Sequence, residues 1–308
     1  MEGKSTVGRE KLRRHLAGSS VNLFYVPALI LVTVFSVYPL FSVYPLFSGF
    51  ALSLTNWDGL NPEKTFVGLA NYVTMLHDAN FRTILVNTLI YGVGSTIIQQ
   101  VLGLALALLL NSKIRGRNAL RAIIYLPALV SAVIMGTMYY LIFQYQQGAL
   151  NTILSALGLQ KVVWFNNPTT AVVIILLVNS FQFCGTSMII YLAGLQGMDQ
   201  SVVEAASLDG ATGWTKFWNI TMPMLMPAFS TSVVLNLIGG LKLFDVIKVL
   251  TGGGPGYSTH SISTYISSVY FDNQNAGYAS AIGVVLFIII AVVTGLMNKG
   301  LDKLGWES

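Results

Sequence analysis

The sequence predicts an all-α polytopic membrane protein with six transmembrane helices. Three observations carry this expectation. Of 308 residues, 54% are hydrophobic and only 9% are charged, whereas a soluble globular domain has roughly a quarter of its residues charged. The apolar residues gather in long runs, each sufficient to cross roughly 30 Å of hydrocarbon as a helix. The period-two alternation of a membrane barrel is missing, so helices are the remaining way to satisfy the backbone without water.

The chain divides into a basic segment 1–20, a membrane domain 21–298 and a tail 299–308. Lys4, Arg9, Lys11, Arg13 and Arg14 precede an apolar run at 21–54. That run is too long for the core of a signal peptide and is read as an uncleaved first span. Within it, Ser36 to Phe41 is repeated at once as Ser42 to Phe47. Six residues rotate a helix face by about 120°, and Pro39 and Pro45 each remove a backbone donor. The second copy is therefore expected to extend or kink the outer end of span one. A polar connection follows at 55–82, and further apolar runs lie at about 83–111, 119–145, 169–194, 224–250 and 278–298.

Orientation follows from the basic residues. Besides the N-terminal group, Lys113, Arg115, Arg117 and Arg121 lie between spans two and three, Lys216 between four and five, and Lys299 and Lys303 after six. The opposite side holds Lys64, Arg82 and Lys161, while Lys242 and Lys248 lie near the outer end of span five. This asymmetry places both termini and the loop 197–223 in the cytoplasm. It also explains the net charge of +5 as membrane topology, so no nucleic-acid partner is implied.

The loop 197–223 is a polar island between apolar runs. Ser201 and Glu204 have the spacing of a capping box. Gly210 stands where a left-handed residue stops a helix. Thr212 starts a second short helix with Trp214, Phe217 and Trp218 on its apolar face, and Pro223 interrupts that helix or opens the next. The series Glu204, Ala205, Ala206, Gly210, Ile220, Pro223 resembles the EAA loop of bacterial ABC importer permeases, with Met222 where the family usually has leucine. The competing reading is an amphipathic helix lying at the membrane interface. The resemblance implies that Glu204, Ala205, Ala206, Asp209, Gly210, Ile220 and Pro223 belong to a coupling helix, between helices four and five, that docks on an ATPase subunit.

The resemblance extends over nearly the whole chain. Asn56-Trp57-Asp58, Phe66 to Tyr72, Asn118 to Pro127, Tyr191 to Gln196, Leu250 to Gly256 and Gly277 to Ala281 are similar to segments of the carbohydrate branch, which includes the maltose and glycerol-3-phosphate systems. They point to the first of that branch's two permeases. This implies a bacterial or archaeal cytoplasmic-membrane subunit of an ATP-driven importer for a sugar or oligosaccharide. Its implied partners are a second permease, a dimer of ATP-binding subunits, an extracytoplasmic solute-binding protein, membrane lipid and the sugar itself. ATP and Mg would be used by the partner ATPase, and this chain would carry no cofactor.

Chemistry-bearing residues are few. The glycine loop Gly252-Gly253-Gly254-Pro255-Gly256 lacks the Gly-Lys-Ser/Thr ending of a phosphate loop, and is read as a tight external turn in a chain that is not itself an enzyme. Cys184 lies alone in an apolar run and reads as a packing residue. His15, His77 and His260 are scattered outside the spans, so neither a metal site nor a catalytic constellation is expected. Lys242, Asp245 and Lys248, three apart, are expected to share one helix face, lining either the path or an interfacial salt bridge. Polar and aromatic residues within spans are candidates for the translocation path: Asn179, Phe181, Gln182 and Phe183 in span four, Asn236 in span five, and Tyr139, Tyr140 and Gln144 in span three. Most such residues simply join helices. A permease for another solute is the nearest alternative. An ion-driven secondary carrier is weaker, since no inverted repeat is evident.

Overall fold

The computed structural model describes residues 25–27, 30–31, 43–112 and 114–303. The described part is helical, and its one extended pairing is a bridge between Thr55 and Phe66. The chain separates into two units, Met1–Leu52 and Ser53–Ser308. In the first unit, α1 spans Val43–Leu52. The carbonyl of Pro45 accepts from the Ser48 hydroxyl at 3.1 Å. The first copy of the duplicated hexapeptide, with Pro39, falls outside the described residues.

The second unit is built on two long helices. After α2 (Ala70–His77), α3 runs from Ala79 to Asn111, and α7 from Pro168 to Gln196. Both are long and apolar enough to cross a membrane, as is α13 from Ala276 to Leu301, which continues to Lys303. α3 opens with Asp78 as N-cap, its carboxylate accepting from the Asn80 amide. It passes through a π-turn at Ile90–Gly94. There the Ser95 hydroxyl donates to the Tyr91 carbonyl and Thr96 to that of Gly92, satisfying groups that the wider turn displaces. α7 begins with Asn167 capping two amides and with Pro168 in its first turn.

Two apolar runs differ from the expected continuous spans. The run at 119–145 is split into α4 (Arg117–Leu129) and α5 (Ala132–Phe143), bent by 97°. Val130 and Ser131 between them are extended. The run at 224–250 is split into α10 (Met222–Leu241) and α11 (Asp245–Leu250). Lys242 caps α10, whereas Asp245 and Lys248 belong to α11, so the three do not share one helix face. Spacing alone could not reveal this, because neither break carries a proline. The two segments beyond the breaks, α5 and α11, lie against each other. A short α6 (Ala149–Ala156) and α12 (Ile262–Ser267) complete the set with the loop helices described below.

The core sits at both ends of α7. Tyr91, Ile174, Ile175 and Val178 pack with Val246, Ile247 and Leu250 of α11. At the other end Leu110, Met188, Tyr191, Leu195 and Leu225 join α3, α7 and α10. A third cluster around Phe81, Ile84, Ile262, Tyr265 and Ile282 fastens α12 and α13 to the start of α3. Small residues let the backbones close: a Cβ on Gly103 would fall 2.4 Å from Cβ of Ser187, the kind of contact that drives helix pairing within lipid.

The glycine loop is anchored rather than free. Asn87 donates to the Ser258 carbonyl at 2.6 Å, Tyr91 to that of Thr259 at 3.0 Å, and Ser261 to that of Leu243 at 2.6 Å. Gly253 has φ +97°, and a Cβ there would lie 2.0 Å from Nε2 of the buried His260, so no other residue fits beneath that ring.

Candidate functional site

Two features stand out on this frame. The first is a cleft of about 370 Å³ bounded by α3, α7, α10 and α11. α7 contributes Asn179, Phe183 and Thr186, at the three- and four-residue spacing that puts them on one face, and α10 contributes Asn236 and Gly239. Lys242 and Asp245 line the same cleft and are exposed. Gln99 of α3 is buried at the back. Its amide donates to the Asn179 carbonyl at 3.3 Å, while its own oxygen has no partner among the described residues. Asn236 donates to the Ser187 hydroxyl at 2.6 Å, which orients its amide at the wall.

Of the residues expected in the path, the cleft gathers Asn179, Phe183, Asn236, Lys242 and Asp245. Phe181 is 61% exposed on another face of α7, about 200° from Phe183 at 100° per residue. Gln182 is buried away from the cleft. Tyr139 packs against the α7–α11 core, and Tyr140 is exposed on α5. Sequence reasoning missed Gln99, Thr186 and Gly239. Gln99 carried a usable signal, a glutamine inside an apolar run. The cleft therefore offers amides, a hydroxyl and an aromatic face, the groups that hold an uncharged hydroxylated solute, with one cation and one anion exposed on its lining.

The second feature is the connection between α7 and α10. α8 spans Gln200–Leu208. Its N-cap is Asp199, whose carboxylate accepts from the Ser201 amide at 2.9 Å; the Ser201 hydroxyl first, and then this amide, lower the Asp199 pKa. The expected capping box from Ser201 to Glu204 does not form. Asp199 is an equally good cap whose charge also suits the helix N-terminus, so the helix starts earlier and Ser201 lies within it. α8 ends as expected. Gly210 has φ +85°, its amide donates to Ser207 at 3.3 Å, and the Ala211 amide donates to Ala206 at 2.9 Å. That bond pair is a Schellman motif.

Thr212 precedes α9 (Gly213–Lys216), and a π-turn at Phe217–Thr221 leads into α10. Pro223 sits in the first turn of α10, where its missing amide is harmless. Lys216 reaches back to the Ser207 hydroxyl at 2.7 Å and ties the two short helices together. Glu204, Ala205 and Asp209 are exposed, Ala206 is buried and Ile220 half-buried. Leu208 is 90% exposed and Trp214 74%. Trp214, Phe217 and Trp218 pack on one another. The hairpin thus projects an apolar surface rimmed by carboxylates.

Comparison with known proteins adds the following. The sequence model of the family described as "Binding-protein-dependent transport system inner membrane component" matches residues 99–304. The chain is 35% identical over 272 residues to the trehalose/maltose transport system permease protein of Thermococcus litoralis, covering 88% of this chain and 90% of that protein. It is 34% identical over 278 residues to the multiple sugar-binding transport system permease protein of Streptococcus mutans, covering 90% and 93%. Among solved structures it is similar to a chain of a bacterial ABC transporter for import of the acidic polysaccharide alginate. The TM-score is 0.76 at 24% identity, with 98% of this chain and 100% of that chain covered.

Proposed function

Since the chain belongs to the family of binding-protein-dependent transport system inner membrane components, we propose that it is a permease subunit of an ATP-driven importer of a sugar or oligosaccharide. It forms half of the translocation path, paired with a second permease, two ATP-binding subunits and an extracytoplasmic solute-binding protein. ATP and Mg are used by the ATPase, and this chain contributes no catalytic group. It resides in the cytoplasmic membrane with the basic segment 1–20 and the tail 299–308 on the cytoplasmic side. Six spans occupy 21–298. In this reading the bent pair α4–α5 counts as span three and the broken pair α10–α11 as span five.

The observation that carries the coupling role is the α8–Gly210–α9 hairpin, which exposes Leu208 and Trp214 directly between α7 and α10. Both helices line the cleft. A partner that grips the hairpin therefore moves the cleft walls. Glu204, Ala205, Ala206, Asp209, Gly210, Ile220 and Pro223 act together here: the exposed ones meet the ATPase, and Gly210, Ile220 and Pro223 set the hairpin's shape. A nucleotide-driven change is effective only if nucleotide binds one arrangement of the hairpins better than the other.

The solute is held by Asn179 and Asn236, with Phe183 stacking on a sugar ring and Lys242 and Asp245 at the cleft's rim. Phe181, Gln182, Tyr139 and Tyr140, at their positions outside this cleft, have supporting rather than contacting roles. The test is binding-protein-dependent uptake of labelled di- and oligosaccharides into vesicles carrying the assembled transporter. Asn236→Ala and Asn179→Ala should each weaken uptake about three- to tenfold, the worth of one hydrogen bond, with the ATPase still bound. Unchanged uptake in both would remove the cleft from the path.

A further inference from the structure

We propose that the seam between α4 and α7 binds an anionic phospholipid of the cytoplasmic leaflet, with Arg121 as the phosphate contact. The seam is a crevice of about 320 Å³, separate from the cleft. Ala122, Ile189, Leu192 and Ala193 give it apolar walls, Tyr125 adds an aromatic ring with its hydroxyl, and Arg121 and Gln196 are its other polar groups. Those two residues come from the N-terminal turns of α4 and the last turn of α7. A cation and an amide beside apolar walls match a phosphate joined to an acyl chain.

Arg121 itself asks for an acceptor. One guanidinium amino group reaches the Leu110 carbonyl at 3.4 Å, a weak bond, and its Nε is shielded from solvent with no partner among the described residues. No carboxylate lines the crevice. A guanidinium fork fits phosphate oxygens two at a time. Arg115 and Arg117, both exposed, add positive charge on the same stretch of chain. With this end of α4 cytoplasmic, as in the topology proposed above, that charge faces the leaflet whose anionic lipids attract basic residues. A sugar is the poorer occupant, because four of the seven lining side chains are aliphatic and Tyr125 is the one aromatic among them.

The experiment is native mass spectrometry of the full-length chain released from mild detergent. It is titrated with phosphatidylglycerol, with phosphatidylcholine, or with inorganic phosphate as competitor. Lipid retention does not depend on sidedness, so this test is separate from that of the topology. The wild type should retain one phosphatidylglycerol with about fivefold preference over phosphatidylcholine, the worth of one cation near a membrane surface. Arg121→Gln should abolish the preference, whereas Arg115→Gln should leave it. Equal retention of both lipids, a preference that survives Arg121→Gln, an equal loss in Arg115→Gln, or displacement by inorganic phosphate would each overturn the proposal. Should Arg121→Gln fail to fold, Ala193→Trp fills the crevice from an exposed position and must lose the bound lipid; its retention would overturn the proposal equally.

Discussion

Asp78 shows how much a single side chain organises here. Its carboxylate caps α3 and also accepts from the hydroxyls of Tyr265 at 2.7 Å and Tyr278 at 3.0 Å, joining three helices. Burial raises its pKa, but the hydrogen bonds outweigh burial and hold it below the ordinary 3.8. The sign follows by linkage. A carboxyl whose folded pKa is depressed stabilises the fold above its unfolded value, and this contribution is lost as pH falls through the folded value. Asp78→Asn should therefore lower the thermal midpoint of the solubilised protein equally at about pH 7 and pH 5, and the two curves should converge below 3.8. A deficit that persists in acid would mean the carboxylate charge is not what matters. Gly210 gives a second residue-scale prediction. At φ +85°, valine costs about 1–3 kcal/mol, so Gly210→Val should preserve membrane insertion and sharply reduce ATP-driven uptake, measured in vesicles. Gly210 was legible because a helix stop has a local chemical signature. Asp78 was not, because its two tyrosines lie in residues nearly 200 positions away.

Helices were legible where composition alone decides them. α3, α7 and α13 match the apolar runs closely, since in lipid a long apolar stretch has no other way to satisfy its backbone. The breaks at 130–131 and 242–244 were not legible, because Pro127 and Gly239–Gly240 stand inside the last turns of α4 and α10 and do not mark where each helix stops. The second break also shapes the cleft, since Lys242, Leu243 and Phe244 line it. Lys242 and Asp245 are brought to its lining by the break itself, whereas an unbroken helix would have carried Lys242, Asp245 and Lys248 along one side. The start of α8 was displaced for a similar reason: Asp199 and Ser201 compete for one role, and spacing cannot rank them. At this scale Gly103→Val is the informative change. The added side chain would meet Ser187 at the α3–α7 contact, and overpacking of this kind costs about 1–3 kcal/mol. The thermal midpoint in detergent should fall, while Gly239→Ala, with open space at its Cβ position inside α10, should leave it unchanged or raise it slightly.

For the whole molecule, the family was legible from the sequence because the series from Glu204 to Pro223 and several shorter segments resemble those of its members, and the family's model matches residues 99–304. The cleft was only half legible. Asn179 and Asn236 reach the cleft, but facing directions along α7 depend on which neighbours cover each side, and these brought Phe183 in and left Phe181 out. The central claim is that the α8–α9 hairpin grips an ATPase and moves the cleft walls. The most direct measurement is affinity purification of the tagged chain from its native membranes after mild crosslinking, with partners identified by mass spectrometry. The wild type should recover an ATP-binding subunit, a second permease and an extracytoplasmic binding protein. Leu208→Asp, which places a charge on the exposed apolar tip, should lose the ATP-binding subunit and keep the second permease. Recovery of the chain alone, or an ATP-binding subunit retained in full by Leu208→Asp, would contradict the account.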